Sequence, residues 1–216
     1  MLFSLSMLRQ ALHVRAENDV VDAPGDAKSE AASRVERMVR QHTDSVWRTA
    51  RDLGVPSRDL EDVTQEVLLV VLRRLADIEV TKERAFMLAT TVRVAANWRR
   101  TRQRRPEELT ESMDILPNAN AYHASVTPTP EEALERTQRL ALLRAALAQM
   151  PEPQRVAFTL FELEQLTAKE IAEQLELAEG AVFSRVRRAW QVFRRVCGQY
   201  GALTGPAGSK PEGRDD

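Results

Sequence analysis

Apolar residues return every three or four positions through most of this chain, a rhythm that suits helices and little else. The first stretch uses positions 35, 38, 39, 42 (a histidine), 46, 47, 50 and 53, and it stops at Gly54 with Pro56 just beyond. A second begins near Ser57 or Asp59 and keeps its stripe at 60, 63, 64 (a threonine), 67, 68, 71, 72 and 75. Val67–Leu72 alone would pass for a buried strand, but its flanks hold the helical period. A third helix is expected over Glu83–Arg102, with 85, 88, 89, 92, 95 and 96 as its inner face. Helix resumes at Pro130 with Leu134, Leu140, Leu143, Leu147 and Met150 inward, and Pro151-Glu152-Pro153 breaks it. Gln154–Leu163 follows, carrying Val156, Ala157, Leu160 and Phe161.

These elements predict an all-α fold of two small helical domains, an N-terminal bundle and a C-terminal helix-turn-helix, joined by an acidic, proline-containing linker. The expected limits are 1–34 for a mobile N-terminal extension, with a short helix over 2–15, 35–105 for the bundle and 106–130 for the linker. The second domain then spans 131–197, and 198–216 is a disordered tail. Pro106, Pro117, Pro128 and Pro130 leave the linker too broken for a long helix, and its carboxylates make it too acidic for a core.

Several function classes drop out. No glycine lies between Gly54 and Gly180, so no phosphate-cradling loop or dinucleotide fingerprint is present. His13, His42 and His123 are far apart and lack acids at metal-ligand spacing. No Gly-x-Ser-x-Gly or His-Glu-x-x-His occurs. The single cysteine excludes a disulfide framework. The expectation is therefore a protein with no catalytic residues, no metal and no cofactor. The longest apolar runs are about six residues, too short for a membrane span, and the start MLFSLSMLRQAL reads poorly as a secretory leader. A cytoplasmic protein without membrane insertion is expected.

The net charge of −1 hides strong segregation. Residues 82–105 hold eight bases and one acid, residues 106–135 hold seven acids and no base, and residues 185–195 hold five arginines and no acid. Two basic blocks separated by an acidic one point to two nucleic-acid contacts joined by a linker. Trp98 adjoins the first block, where an aromatic ring can stack on an unpaired base or simply pack. In the second helix, Asp59, Glu61, Asp62, Gln65 and Glu66 fall off the apolar stripe, and acids in a first turn also favour the helix dipole.

The sharpest local pattern is near the C-terminus. Thr167 stands as an N-cap with Glu170 three residues on, a capping box. A short helix Ala168–Leu175, a turn through Glu176–Glu179 and a longer helix Gly180–Val196 make helix-turn-helix geometry. Small Ala172 allows close approach, and Ile171, Leu175, Leu177, Val182 and Val186 form the wedge. With Val182, Val186, Ala189 and Phe193 inward, the outward arc holds Ser184, Arg187, Arg188, Gln191 and Arg195, with Phe183 and Arg194 at its margin. Arginine pairs bidentately with guanine and glutamine with adenine, while Arg185 at the flank suits a phosphate.

Three segments occur in a telling order: Asp59-Leu60-Glu61-Asp62-Val63-Thr64-Gln65-Glu66-Val67, the helix from Arg84-Ala85-Phe86 to Asn97-Trp98-Arg99-Arg100, and Met150–Arg155 with Leu166–Ala189. Together they resemble bacterial RNA polymerase sigma factors of the extracytoplasmic-function (ECF) group. The resemblance implies a transcription initiation factor that binds core RNA polymerase and directs it to promoters. The helix over 59–75 would dock on the β′ clamp helices through Asp59, Asp62, Gln65 and Glu66, and the polymerase β flap would be a further contact. Arg93, Asn97, Trp98, Arg99 and Arg100 would face the minus-ten element and help melt it. Phe183, Ser184, Arg185, Arg187, Arg188 and Gln191 would read the minus-thirty-five element. Promoter DNA and an anti-sigma factor are the other implied partners. The chain departs from the family at Arg93 (usually Asn), Asn97 (usually Asp), Glu176 (usually Gly) and Phe183 (usually Lys). If the turn needs a positive φ at Glu176, its Cβ introduces strain there. The competing reading is a stand-alone helix-turn-helix regulator, which would need a dimerisation element; no coiled-coil heptads are evident.

Overall fold

A computed structural model describes residues 25–103 and 129–204. Seven helices account for most of them: α1 (Gly25–Asp52), α2 (Leu60–Arg74), α3 (Glu83–Gln103), α4 (Pro130–Gln149), α5 (Glu152–Phe158), α6 (Ala168–Leu175) and α7 (Glu179–Thr204). Short 3₁₀ turns lie at Ser57–Asp59, Leu75–Asp77 and Val80–Lys82, and α5 continues into a π-helical turn over Thr159–Leu163. The 2–15 helix, most of the linker and the end of the C-terminal tail fall outside the described residues.

The three N-terminal helices pack pairwise, α1 on α2, and α3 against both. The periodic residues make this core: Met38, Val46, Leu53, Leu60, Val63, Val67, Val71 and Leu88 are fully buried. Helix α1 ends as the sequence predicts. Gly54 adopts φ +94°, its N–H bonds the Arg51 carbonyl at 2.9 Å, and the Val55 N–H reaches the Ala50 carbonyl at 3.1 Å, a glycine-closed cap.

Five expectations need correction. Helix α7 runs on to Thr204, so the first seven residues assigned to a disordered tail, 198–204, are helical. Helix α1 starts at Gly25, so the last ten residues assigned to a mobile extension are helical. Arg34 explains the continuation, because its guanidinium bonds the Leu75 carbonyl at 3.2 Å, the Ile78 carbonyl, and Glu83 Oε1 at 2.7 Å. Helix α3 is buried on more than one side, adding Met87, Thr90, Thr91 and Val94 to its expected inner face, because α6 packs against it as well as α1 and α2. Leu134 is 58% exposed rather than inward, since the early turns of α4 (131–139) are exposed throughout. Helix α5 begins at Glu152 rather than Gln154, with Pro151 as its N-cap and a proline in the first turn, where a missing N–H is harmless.

In the C-terminal half, α7 is the backbone against which α4, α5 and α6 pack. A small core of Ala146, Leu147, Met150, Phe158, Ala189 and Val196 is lined by Trp190 and Phe193. The Phe158 ring meets Trp190 edge-on at 5.5 Å and stacks on Phe193 at 5.8 Å. The two halves are not separate beads. Val156, Leu160, Ile171 and Val182 belong to the same continuous core as Met38, Leu60 and Leu88.

Candidate polymerase and DNA interfaces

The acidic face of α2 follows from its period. Leu60, Val63, Thr64, Val67, Leu68 and Val71 turn inward, so Glu61, Asp62 and Glu66 stand exposed on the other side, with Gln65 half-buried between them. Asp59 does not join this face: its carboxylate pairs with Arg102 at 3.1 Å and Arg58 at 3.6 Å, and its side chain is only 14% exposed. Of the four candidate polymerase contacts, the fold therefore gathers Asp62, Gln65 and Glu66 and uses Asp59 to fasten α2 to α3.

The basic end of α3 is also divided. Asn97 and Arg100 are exposed. Trp98 packs against the core, and the Arg102 guanidinium lies 5.1 Å from its ring centroid, a cation–π contact that covers the ring. Arg99 donates to the Leu53 carbonyl at 2.8 Å and pairs with Glu152 of α5. Arg93 donates to the Gln174 carbonyl of α6. Arg104 and Arg105 lie outside the described residues.

Both arginine contacts reach across to the C-terminal half, and others join them. Glu164, at the end of the π turn and 3% exposed, accepts from Arg48 of α1 at 3.4 Å and Arg84 of α3 at 2.9 Å. Lys82 pairs with Glu173 of α6 at 3.3 Å, an exposed contact that raises the ammonium pKa. Arg155 lies close to Gly54, and burial, with Arg99 beside it, lowers its pKa. Burial raises the pKa of Asp52, and Glu164 pushes the same way against the pull of Arg51 and Arg144. Burial, then Arg84, lowers that of His42. Much of the first basic block thus meets carboxylates of the C-terminal half. Sequence reasoning missed Glu164 and Arg48 because 116 residues separate them and neither belongs to a local motif.

The helix-turn-helix matches its sequence pattern closely. Thr167 Oγ1 accepts from the Glu170 N–H at 3.2 Å, and Glu170 Oε2 accepts from the Thr167 N–H at 2.8 Å. A second capping box, Thr129 with Glu132, starts α4; it was legible as Thr-Pro-Glu-Glu but went unread. Glu176 adopts φ 55° and ψ 49°, the left-handed conformation the missing glycine would have occupied without strain. Ile171, Ala172, Val182, Val186 and Ala189 are buried, and Leu175 and Leu177 pack on them. On the outer side of α7, Arg187, Arg188, Gln191, Arg194 and Arg195 are exposed, and Ser184 and Arg185 half-buried. Phe183 is 52% exposed, its ring edge-to-face with Phe161 at 6.0 Å.

Among the described residues no group of His, Cys, Asp and Glu could hold a metal ion, and no helix is long and apolar enough to cross a membrane. Comparison with known proteins gives these surfaces a family. Residues 38–105 match the Sigma-70 region 2 family, and residues 140–191 match Sigma-70, region 4. The chain is 31% identical to the ECF RNA polymerase sigma factor SigE of Mycolicibacterium smegmatis over 86% of its own length and 69% of that protein. It is 28% identical to the RNA polymerase sigma-H factor of Pseudomonas aeruginosa over 65% of this chain and 74% of that one. In fold it is similar to the sigma factor RpoE of Bartonella quintana, solved with the anti-sigma factor NepR, at a TM-score of 0.59 and 18% identity over 76% of this chain and 96% of that one. CnrH, solved with the cytosolic domain of CnrY, gives a TM-score of 0.54 and 17% identity over 78% and 95%. An acidic helix, a basic helix and a capped helix-turn-helix, carried by region 2 and region 4 in that order, make this chain a member of the ECF group of RNA polymerase sigma factors.

Proposed function

We propose that this chain performs the work of an ECF sigma factor through three surfaces of the fold. Asp62, Gln65 and Glu66 of α2 dock on the β′ clamp helices of core polymerase, with Asp59 holding α2 in place. Arg93, Asn97, Trp98, Arg99 and Arg100 of α3 meet the minus-ten element. Phe183, Ser184, Arg185, Arg187, Arg188 and Gln191 of α7 read the minus-thirty-five element, with the β flap as the polymerase contact of this half. The corresponding domains are 35–105 and 131–197, linked by 106–130. The protein adds no chemistry of its own and acts in the cytoplasm, with the polymerase.

The observation that carries this reading is the presence of region 2 and region 4 in one chain, in order. A stand-alone regulator has no use for the exposed acidic face of α2. Contacts to duplex phosphates supply salt-dependent affinity, and unstacking promoter bases costs a few kcal/mol. Two readers bind as one bivalent unit only when the polymerase sets their separation. Arg84, Arg93 and Arg99 are meanwhile engaged by the C-terminal half, so these contacts part before that surface meets DNA. Weak promoter binding by the free protein follows. Because two similar folds were solved in complexes, one with an anti-sigma factor by name, we extend the proposal to an anti-sigma partner here.

Co-elution with bacterial core RNA polymerase tests it. The wild-type chain should bind stoichiometrically and support run-off transcription, and Asp62→Arg/Glu66→Arg should do neither while keeping its helical circular dichroism. Failure of the folded wild-type protein to bind core polymerase would sink the reading.

A further inference from the structure

On the outer face of α7 an exposed aromatic ring sits among arginines. Phe183 is 52% exposed although its neighbours on that arc, Arg187, Arg188 and Gln191, are polar. An aromatic ring left in water forgoes its largest favourable term unless binding buries it. The ring is also held in place. Phe161 meets it at 6.0 Å with an interplanar angle of 74°, and Phe161 comes from the π-helical turn Thr159–Leu163, itself packed against the core. Phe183 occupies the first turns of α7, the part of a recognition helix that reaches base edges in the major groove. There, thymine alone among the four bases presents a methyl group, and an apolar side chain is the group that contacts it.

Resting on the sigma-factor reading, we infer that Phe183, braced by Phe161 as a positioning residue, reads a thymine through its C5 methyl in the upstream promoter element, while Arg187 and Arg188 bind beside it. Phe183 here acts as a specificity determinant in its own right. The side chain cannot accept or donate a hydrogen bond, so its selectivity comes from burying one methyl group and from rejecting the bare polar edges of the other bases.

The test uses holoenzyme assembled from core polymerase and the full chain, selecting from promoters randomised in the upstream element. Wild type should return one position restricted to thymine. Phe183→Ala should leave that position degenerate and the others unchanged. At that position, replacing dT by dU removes only the methyl; it should weaken wild-type binding about four-fold, the value of one buried methyl-sized group, and leave Phe183→Ala unaffected. Phe161→Tyr, which keeps the ring, should retain the thymine preference, and Phe161→Leu should relax it while the variant stays folded and still co-elutes with core polymerase. Absence of a thymine-restricted position, or an equal dU effect in wild type and Phe183→Ala, overturns the assignment and leaves the sigma reading standing. Loss of polymerase co-elution in Phe183→Ala overturns it in favour of a protein contact. A wild-type holoenzyme that retains no sequence overturns both.

Discussion

Two helices of this protein end with the same backbone bond spanning six residues, one just after a left-handed glycine and the other just after a left-handed glutamate. After α1, Gly54 takes φ +94° and the Val55 N–H bonds the Ala50 carbonyl at 3.1 Å. After α6, Glu176 takes φ 55° and the Leu177 N–H bonds the Ala172 carbonyl at 2.9 Å. The Cβ of an L-residue in this conformation costs about 1–2 kcal/mol. Glycine would remove that strain but lose about 0.4–1 kcal/mol through the greater freedom of the unfolded chain. Glu176→Gly should therefore stabilise the protein by roughly 0.5–1 kcal/mol, about 1–4 °C in melting temperature for a chain of this size. Glu176→Ala keeps the Cβ and should gain nothing of this kind, since the glutamate side chain is exposed. Gln165, the other non-glycine residue at positive φ (54°) among the described residues, supplies a contrast. Its Nε2 donates to the Glu162 carbonyl at 2.5 Å, so Gln165→Gly loses a bond worth about 0.5–1.5 kcal/mol and should come out near neutral. Urea and thermal unfolding of the four proteins decide the matter. A Glu176→Gly variant less stable than wild type, or an alanine variant that gains as much as glycine, would refute the strain argument.

Thr167→Ala should lose about 1 kcal/mol by removing the capping box of a packed helix, whereas Thr129→Ala should barely move global stability, because the first turns of α4 are exposed; equal losses in denaturant titrations would contradict this. Asp52 carries a raised carboxyl pKa because burial disfavours its charge, so the folded state binds the proton more tightly than the unfolded chain. The resulting penalty is present at about pH 7 and fades as pH falls through the folded value toward the ordinary carboxylate pKa of about 3.9. Asp52→Asn should stabilise near neutrality, with a gain that shrinks on acidification; a loss at neutrality would refute it. Glu164→Gln removes the charge between Arg48 and Arg84, whose side chains are 32% and 35% exposed, so solvent screening limits the loss to the order of 1–2 kcal/mol. Its radius of gyration by X-ray scattering and its low-salt affinity for DNA should both rise; no change in either would show that this contact does not hold the halves together.

The capping box at Thr167 and the glycine-closed end of α1 were legible in the sequence because each is a local matter of three to five consecutive residues. So was the buried stripe of α2, which needs only a periodic pattern and one core to face. The left-handed Glu176 was signalled only through the family likeness, which usually has glycine at that position, the residue that takes a positive φ without strain. The exposed faces of α2 and α7 were legible in outline. Asp62, Gln65 and Glu66 had to point away from Leu60, Val63 and Val67, and the arginines of α7 away from Val182 and Val186.

What escaped depends on partners distant in sequence. Helix α3 looked one-sided because nothing local announces that α6 will cover it. Arg34 looked like part of a loose extension because its partners lie 41 to 49 residues away. Asp59, Trp98 and Arg99 looked like free interface groups until Arg102, Leu53 and Glu152 were brought beside them. The sequence by itself determined that the chain is helical, where α1 closes and α6 is capped, and which sides of α2 and α7 face solvent, because these follow from nearest-neighbour sterics and a 3.6-residue period. Only the tertiary structure decided which charged groups remain available for polymerase and DNA, because pairing a buried or half-buried charge requires an opposite charge within a few ångströms, wherever in the chain it originates.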